Sequence, residues 1–267
     1  MSESRYLQSP LRSFSVDSLH VCVFRDRKAM GAAAAADCAL AIRRVLAEKG
    51  RCRIVFAAAP SQNEVLAGLA AAPGIDWNRV HAFHMAEYSG LPAGDPRRFG
   101  EFLRNAIFSR VSFGRVEYLA PMPAASGAEA NAEAGRYAAL LAEAPVDIVC
   151  LGVGENGHIA FNDPAYADFS DPLAVKEVEL DLECRTQQVH DGCFASLEAV
   201  PRTALTLTIP TLVSGKELFC VVPGPTKAAA VRNMLEGPVT TDCPATALRA
   251  HPSCALYLDA DSGRLLR

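Results

Sequence analysis

The 267-residue chain lacks any apolar stretch near the roughly 18–20 residues needed to cross a bilayer. The apolar run 32–36 is closed by Asp37 and reads as part of a helix. It also lacks an excess of positive charge. Lys and Arg number 26 against 30 Asp and Glu, a net of −4, which excludes the general basic field of a nucleic-acid or acidic-membrane binder. Nine cysteines include no C-x-x-C pair, and Cys22, Cys150 and Cys220 sit inside apolar runs. That usage excludes a disulfide scaffold and predicts reduced, mostly buried thiols in a cytoplasmic protein. The N-terminal MSESRYLQSPLRSF has no apolar core of the kind a secretion signal needs. There is no G-x-S-x-G elbow, and the one glycine-rich run does not open a helix as a dinucleotide loop does.

What is present is globular: 50% apolar and 21% charged residues. Short β-rich runs at 20–24, 53–57, 80–85, 116–119, 147–152, 204–209, 218–222 and 255–259 alternate with helical stretches at 27–49, 64–71, 98–108, 128–142 and 226–235. IVCLG and LFCVV are apolar without alternation, as expected of strands covered on both faces. The pattern predicts one α/β domain over residues 1–267, with a mostly parallel sheet and helices on both faces. The polar stretch 164–176 is either a lid or an ordinary surface loop.

Ligands of parallel sheets bind beyond the carboxyl ends of the strands, which points to four segments. In AAAPSQNEVL (57–66), Ser61 and Gln62 precede a helix whose free N–H groups suit a phosphate, although a plain capped turn explains them too. In FHMAEYSGL (83–91), Glu87 is a base, a hydroxyl ligand or a loop-holding ion-pair partner. In LGVGENGHIAFNDP (151–164), glycines including Gly154 let the backbone approach a ligand closely and present His158 between Asn156 and Asp163. Imidazole titrates near neutrality, so His158 suits proton transfer to and from sugar oxygens. In VVPGPTKAAAV (221–231), Lys227 lies at a helix start, where the dipole disfavours a cation unless an anion joins it. No metal site is expected, because neither His84 nor His158 has a cysteine or second histidine at ligand spacing.

FHMAEYSGL, LGVGENGHIAFNDP, VPRTALTLTIPTL and PGPTKAAAV resemble motifs of the glucosamine-6-phosphate deaminase/isomerase family, which is related to the 6-phosphogluconolactonases. The resemblance spans about residues 27–259. It implies a Rossmann-like fold, no cofactor, and conversion of a phosphorylated amino sugar, glucosamine 6-phosphate, to fructose 6-phosphate and ammonia. It implies that His158 opens the sugar ring with Asn156 and Asp163, while Ser61, Gln62, Gly154 and Lys227 hold the substrate. It leaves a homo-oligomer open. The chain departs from the pattern where the family places its C2 base, a position held here by Ala86. A methyl group accepts no proton. Three accounts of Ala86 follow: an inactivated variant, a homologue using another base such as Glu87 or Asp163, or a sugar-phosphate-binding protein without turnover. A lactonase-type hydrolase is the alternative reaction. The active-site arginine of the deaminases is also missing from HDGCF, leaving Arg185 as its candidate replacement.

Overall fold

The computed structural model describes residues 9–123 and 127–267; the first eight residues, part of the segment read above for a leader, lie outside them. Among the described residues, eleven strands and seven α-helices run in the order β1 (Arg12–Val16), β2 (Leu19–Phe24), α1 (Arg27–Lys49), β3 (Cys52–Phe56), α2 (Asn63–Ala70), β4 (Val80–His84), β5 (Ala86–Tyr88), α3 (Phe99–Leu103), β6 (Arg115–Val116), α4 (Ala128–Ala142), β7 (Ile148–Leu151), β8 (Val175–Glu179), α5 (Leu182–His190), β9 (Thr203–Leu207), α6 (Ile209–Val213), β10 (Glu217–Val222), α7 (Ala228–Glu236) and β11 (Cys254–Asp259).

Eight strands form one sheet in the order β1-β2-β11-β10-β7-β3-β4-β6, parallel throughout except for the β1–β2 hairpin. The expected α/β architecture is therefore present. Its strands are apolar on both faces because two cores sandwich them. Phe24, Ile54, Phe56, Ile148, Cys150 and Val221 pack with α1 and α2 on one side. Val23, Val55, Val149, Leu151, Cys220 and Val222 pack with residues of α4 and α7 on the other. Helix α1 begins at the Asp26 N-cap, which accepts from the Ala29 amide at 2.7 Å. It ends at Gly50 in the left-handed region, φ 75°.

The structure corrects the sequence reading in two places. The run at 204–209 is a strand, but it belongs to a separate antiparallel sheet, β5-β9-β8. The expected helix at 98–108 is a single α-turn that passes into a π-helical turn at Arg104–Phe108. The stretch at 164–176 runs into β8, where Lys176 donates back to the Tyr166 carbonyl and to Asp171, both at 2.6 Å. All nine cysteines are free thiols, and only Cys193 is not buried. Among the described residues no helix is long and apolar enough to cross a membrane.

Candidate active site

The four segments beyond β3, β4, β7 and β10 converge on one cavity of about 210 Å³. Ser61, Gln62, Ala86, Gly154, His158 and Lys227 all line it. After β3 the chain makes a short 3-10 turn, Pro60–Gln62, that leads into α2. Gln62 is buried, and its amide donates to Ser61 Oγ at 3.2 Å, to the Val221 carbonyl at 3.3 Å and to the Leu151 carbonyl at 3.4 Å. It therefore binds together the ends of three neighbouring strands.

The loop after β7 carries the imidazole. The His158 ring lies directly against Gly154, where a Cβ would fall 2.1 Å from its Cε1. Gly157, at φ 86°, supplies a left-handed turn just before it. The His158 amide donates to Asn156 Oδ1 at 3.0 Å, and Asn156 Nδ2 donates to Asp163 Oδ1 at 3.1 Å. His158 Nδ1 sits 2.9 Å from the same carboxylate oxygen. Asp163 is fully buried. Burial pushes its carboxyl up, but the contacts with His158 and Asn156 outweigh this and hold it below the ordinary carboxylate range. An ionised Asp163 orients the ring through Nδ1 and leaves Nε2 for the cavity. Asn156 and Asp163 do not line the cavity; they stand behind the histidine.

Beyond β10, Gly224 donates its amide to both Asp259 oxygens at 3.0 and 3.1 Å, which anchors the Pro-Gly-Pro turn. Lys227 follows, only 5% exposed, and its Nζ makes no hydrogen bond within the described residues. Burial pushes its pKa down, while Asp191 and Glu155 partly offset the effect. A buried ammonium without a hydrogen-bond partner is costly unless an anion joins it.

Beyond β4 the outcome is mixed. Ala86 lines the cavity, but Glu87 does not. The Glu87 carboxylate turns away to accept the amides of Tyr88, Phe99 and Gly100, each at 3.0 Å, and lies 3.3 Å from Arg98. It caps α3 and sets Phe99 in the cavity wall. Burial raises its pKa, against the pull of Arg98 and those amides. His84 is likewise structural. Its Nδ1 donates to the Ala86 carbonyl at 2.8 Å and its Nε2 accepts from the Leu119 amide at 3.0 Å. Burial pushes its pKa down to about 4, so the ring is neutral.

Arg185 does not reach the cavity either; it donates to the Leu197 carbonyl at 2.6 Å and steadies the turn after α5. The cavity instead receives Arg27, from the first turn of α1, and Gln187, Gln188 and Asp191 from the end of α5. Arg27 pairs with Glu64 at 2.7 Å. Gln187 accepts the Glu155 amide at 2.8 Å and donates to Asp191 at 3.2 Å. Gln188 accepts from the Tyr88 hydroxyl at 2.6 Å. The sequence signal for Arg27 was its position just past the carboxyl end of β2, the same sheet edge as the other four segments. Helix α5 had no such signal, because its composition is polar.

Fold and site together place the chain among α/β proteins with a cavity of mixed polar and apolar lining at the carboxyl edge of a parallel sheet. A family model described as glucosamine-6-phosphate isomerases/6-phosphogluconolactonase matches residues 25–256, and the chain belongs to that family. It is 36% identical over 192 residues to a glucosamine-6-phosphate deaminase of Exiguobacterium sibiricum, covering 72% of this chain and 73% of the relative. It is 34% identical to that of Listeria welshimeri, covering 72% and 78%. Among solved structures, a monomeric glucosamine-6-phosphate deaminase superposes with a TM-score of 0.82 at 26% identity, covering 92% of this chain and 99% of that one. The 6-phosphogluconolactonase of Trypanosoma brucei, at 16% identity and a TM-score of 0.77 over 96% and 100% of the two chains, shares the fold.

Proposed function

We propose that the chain acts on a phosphorylated amino sugar, converting glucosamine 6-phosphate and one water to the ketose phosphate and ammonia, the water supplying the C2 carbonyl oxygen as the C–N bond breaks. The observation that carries this reading is the meeting of two groups on one cavity: the Asp163-backed imidazole of His158 and the buried Lys227 ammonium. Lys227 and the Ser61 turn bind the phosphate, which supplies the anion that the buried ammonium calls for. His158 takes the proton of the sugar's anomeric hydroxyl at Nε2 and returns it to the ring oxygen. Asp163 stabilises the imidazolium formed in between. Gln187, Gln188 and Asp191, which also line the cavity, supply further polar contacts to the sugar.

Aldose–ketose conversion also moves a proton from C2 to C1, and Ala86 cannot carry it. Glu87 is committed to the α3 cap and Asp163 to His158, so neither replaces it. Turnover is therefore slow, and Ala86→Asp raises it; general-base catalysis contributes about 10²–10⁴-fold. Ammonia release from glucosamine 6-phosphate by the natural chain and by Ala86→Asp tests the reading. It fails if neither protein releases ammonia or binds the sugar phosphate.

Ala86 favours one second reading. Hydrolysis of a sugar-phosphate lactone needs no C2 base, only a water activated by His158. Fast 6-phosphogluconolactone hydrolysis that disappears in His158→Ala would put this reading first. Tight sugar-phosphate binding with neither product would identify a binding protein.

A further inference from the structure

The sequence places no cysteine at ligand spacing from His158, yet the fold delivers one. Cys184 sits in the first turn of α5, where its amide donates to the Asp181 N-cap at 2.6 Å. Its side chain comes up beside Asp163. His158, Asp163 and Cys184 are all buried, and each offers one donor atom within 4.8 Å of the other two. Asp163 Oδ2 is buried without a hydrogen-bond partner among the described residues.

We propose that His158 Nδ1, Asp163 and Cys184 Sγ form a binding site for a zinc-class divalent cation, seated behind the cavity. The donor set carries the argument. Imidazole nitrogen, thiolate sulfur and carboxylate oxygen are the ligands that zinc takes, at about 2.0–2.3 Å. Calcium and magnesium take oxygen donors almost alone, so the thiol selects against them. Small side-chain rotations draw the three atoms onto one ion, and water or the second Asp163 oxygen fills the fourth position. Two of the ligands are anionic when bound, which neutralises a divalent charge in a buried place.

Binding has a defined proton balance. The Cys184 thiol releases its proton to solvent, and the proton on His158 Nδ1 moves to Nε2. That nitrogen then carries hydrogen and cannot accept another. A bound metal therefore blocks the proton transfer assigned to His158. This last step rests on the proposed function; the binding itself does not.

Titration of the metal-free protein with Co²⁺ tests the site through its thiolate-to-cobalt absorption band. One band equivalent per chain is expected, displaced by Zn²⁺ and absent from Cys184→Ser, although eight other cysteines remain in that variant. Asp163→Asn keeps the thiol and should weaken Co²⁺ binding tenfold or more, as loss of even an outer-shell partner costs about 10–100-fold. Circular dichroism checks that both variants fold. Should Cys184→Ser not fold, anomalous scattering from Zn²⁺-soaked crystals of the natural chain locates the ion directly. A band that survives in folded Cys184→Ser, no Co²⁺ binding by the natural chain, or an ion at other residues overturns the proposal. These readouts need no substrate, so a chain without deaminase activity still tests the metal site. Deaminase activity in a protein that binds no Co²⁺ would sink the metal site and leave the functional reading standing.

Discussion

The His158 imidazole rests on Gly154 so closely that a methyl group at position 154 would lie 2.1 Å from Cε1 and 2.3 Å from Nε2. No real Cβ contact is that short, so any side chain there must expel the ring from its place. Gly154→Ala should therefore leave the protein folded while lowering kcat by about 10²-fold, the scale of loss for a reacting group misplaced by about 1 Å. Thermal melts compared with steady-state rates separate the two effects.

Asp163 is expected to act through His158. Asp163→Asn keeps the shape but loses the charge that holds the imidazole and its imidazolium form, so kcat should fall by about 10²-fold or more. Asp163's folded pKa lies below its unfolded value, so its contribution to stability is complete above the ordinary aspartate range and fades as pH falls through the lowered value. Acid titrations of natural and Asp163→Asn protein, followed by circular dichroism, should differ in that window and agree near neutrality in shape.

Lys227 sets binding against stability. Burial lowers its pKa, so the folded chain holds this proton less tightly than the unfolded chain. The resulting penalty is in full force below the lowered pKa and is relieved as pH rises from there towards the ordinary lysine value. Lys227→Met should raise the melting temperature of the ligand-free protein, by an amount corresponding to about 0.5–2 kcal/mol. The same substitution should raise KM for the sugar phosphate at least tenfold. Inorganic phosphate should stabilise the natural protein and leave Lys227→Met unmoved.

His84 makes the fold acid-sensitive. Its ring is neutral, with both nitrogens occupied by backbone groups, and its pKa is lowered from 6.5 to about 4. A depressed pKa on a base means that stability is full above pH 6.5 and declines as pH falls from there towards 4, by roughly 3 kcal/mol in all. His84→Gln should flatten this decline in denaturant titrations run at several pH values.

Much of the frame was readable from residue order because the parallel strands are apolar on both faces, a pattern that survives any detail of packing. The convergence of the Ser61, His158 and Lys227 segments was also readable, since the carboxyl ends of such strands share one edge. Glu87 was readable only as a choice between a base, a hydroxyl ligand and a loop-holding ion-pair partner. Arg98 and the amides of Phe99 and Gly100, about a dozen residues further on, select the last and make it a cap as well. Strand β5 was hidden because three residues make no periodicity. Helix α5 was hidden because LECRTQQVH turns its polar side chains, not an apolar stripe, towards the protein. Cys184 approaches Asp163 through tertiary folding alone, and no local spacing announces it.

Helix α5 has a wider consequence. In nine residues it supplies Gln187 to the glycine-rich loop, Gln188 to Tyr88 and Cys184 to the neighbourhood of Asp163, with Asp191 at its C-cap facing the cavity. It contributes little apolar mass to either face of the main sheet. Under the proposed function, substrate preference would be concentrated in an exchangeable cassette, where a handful of polar replacements retune recognition while the load-carrying scaffold stays as it is.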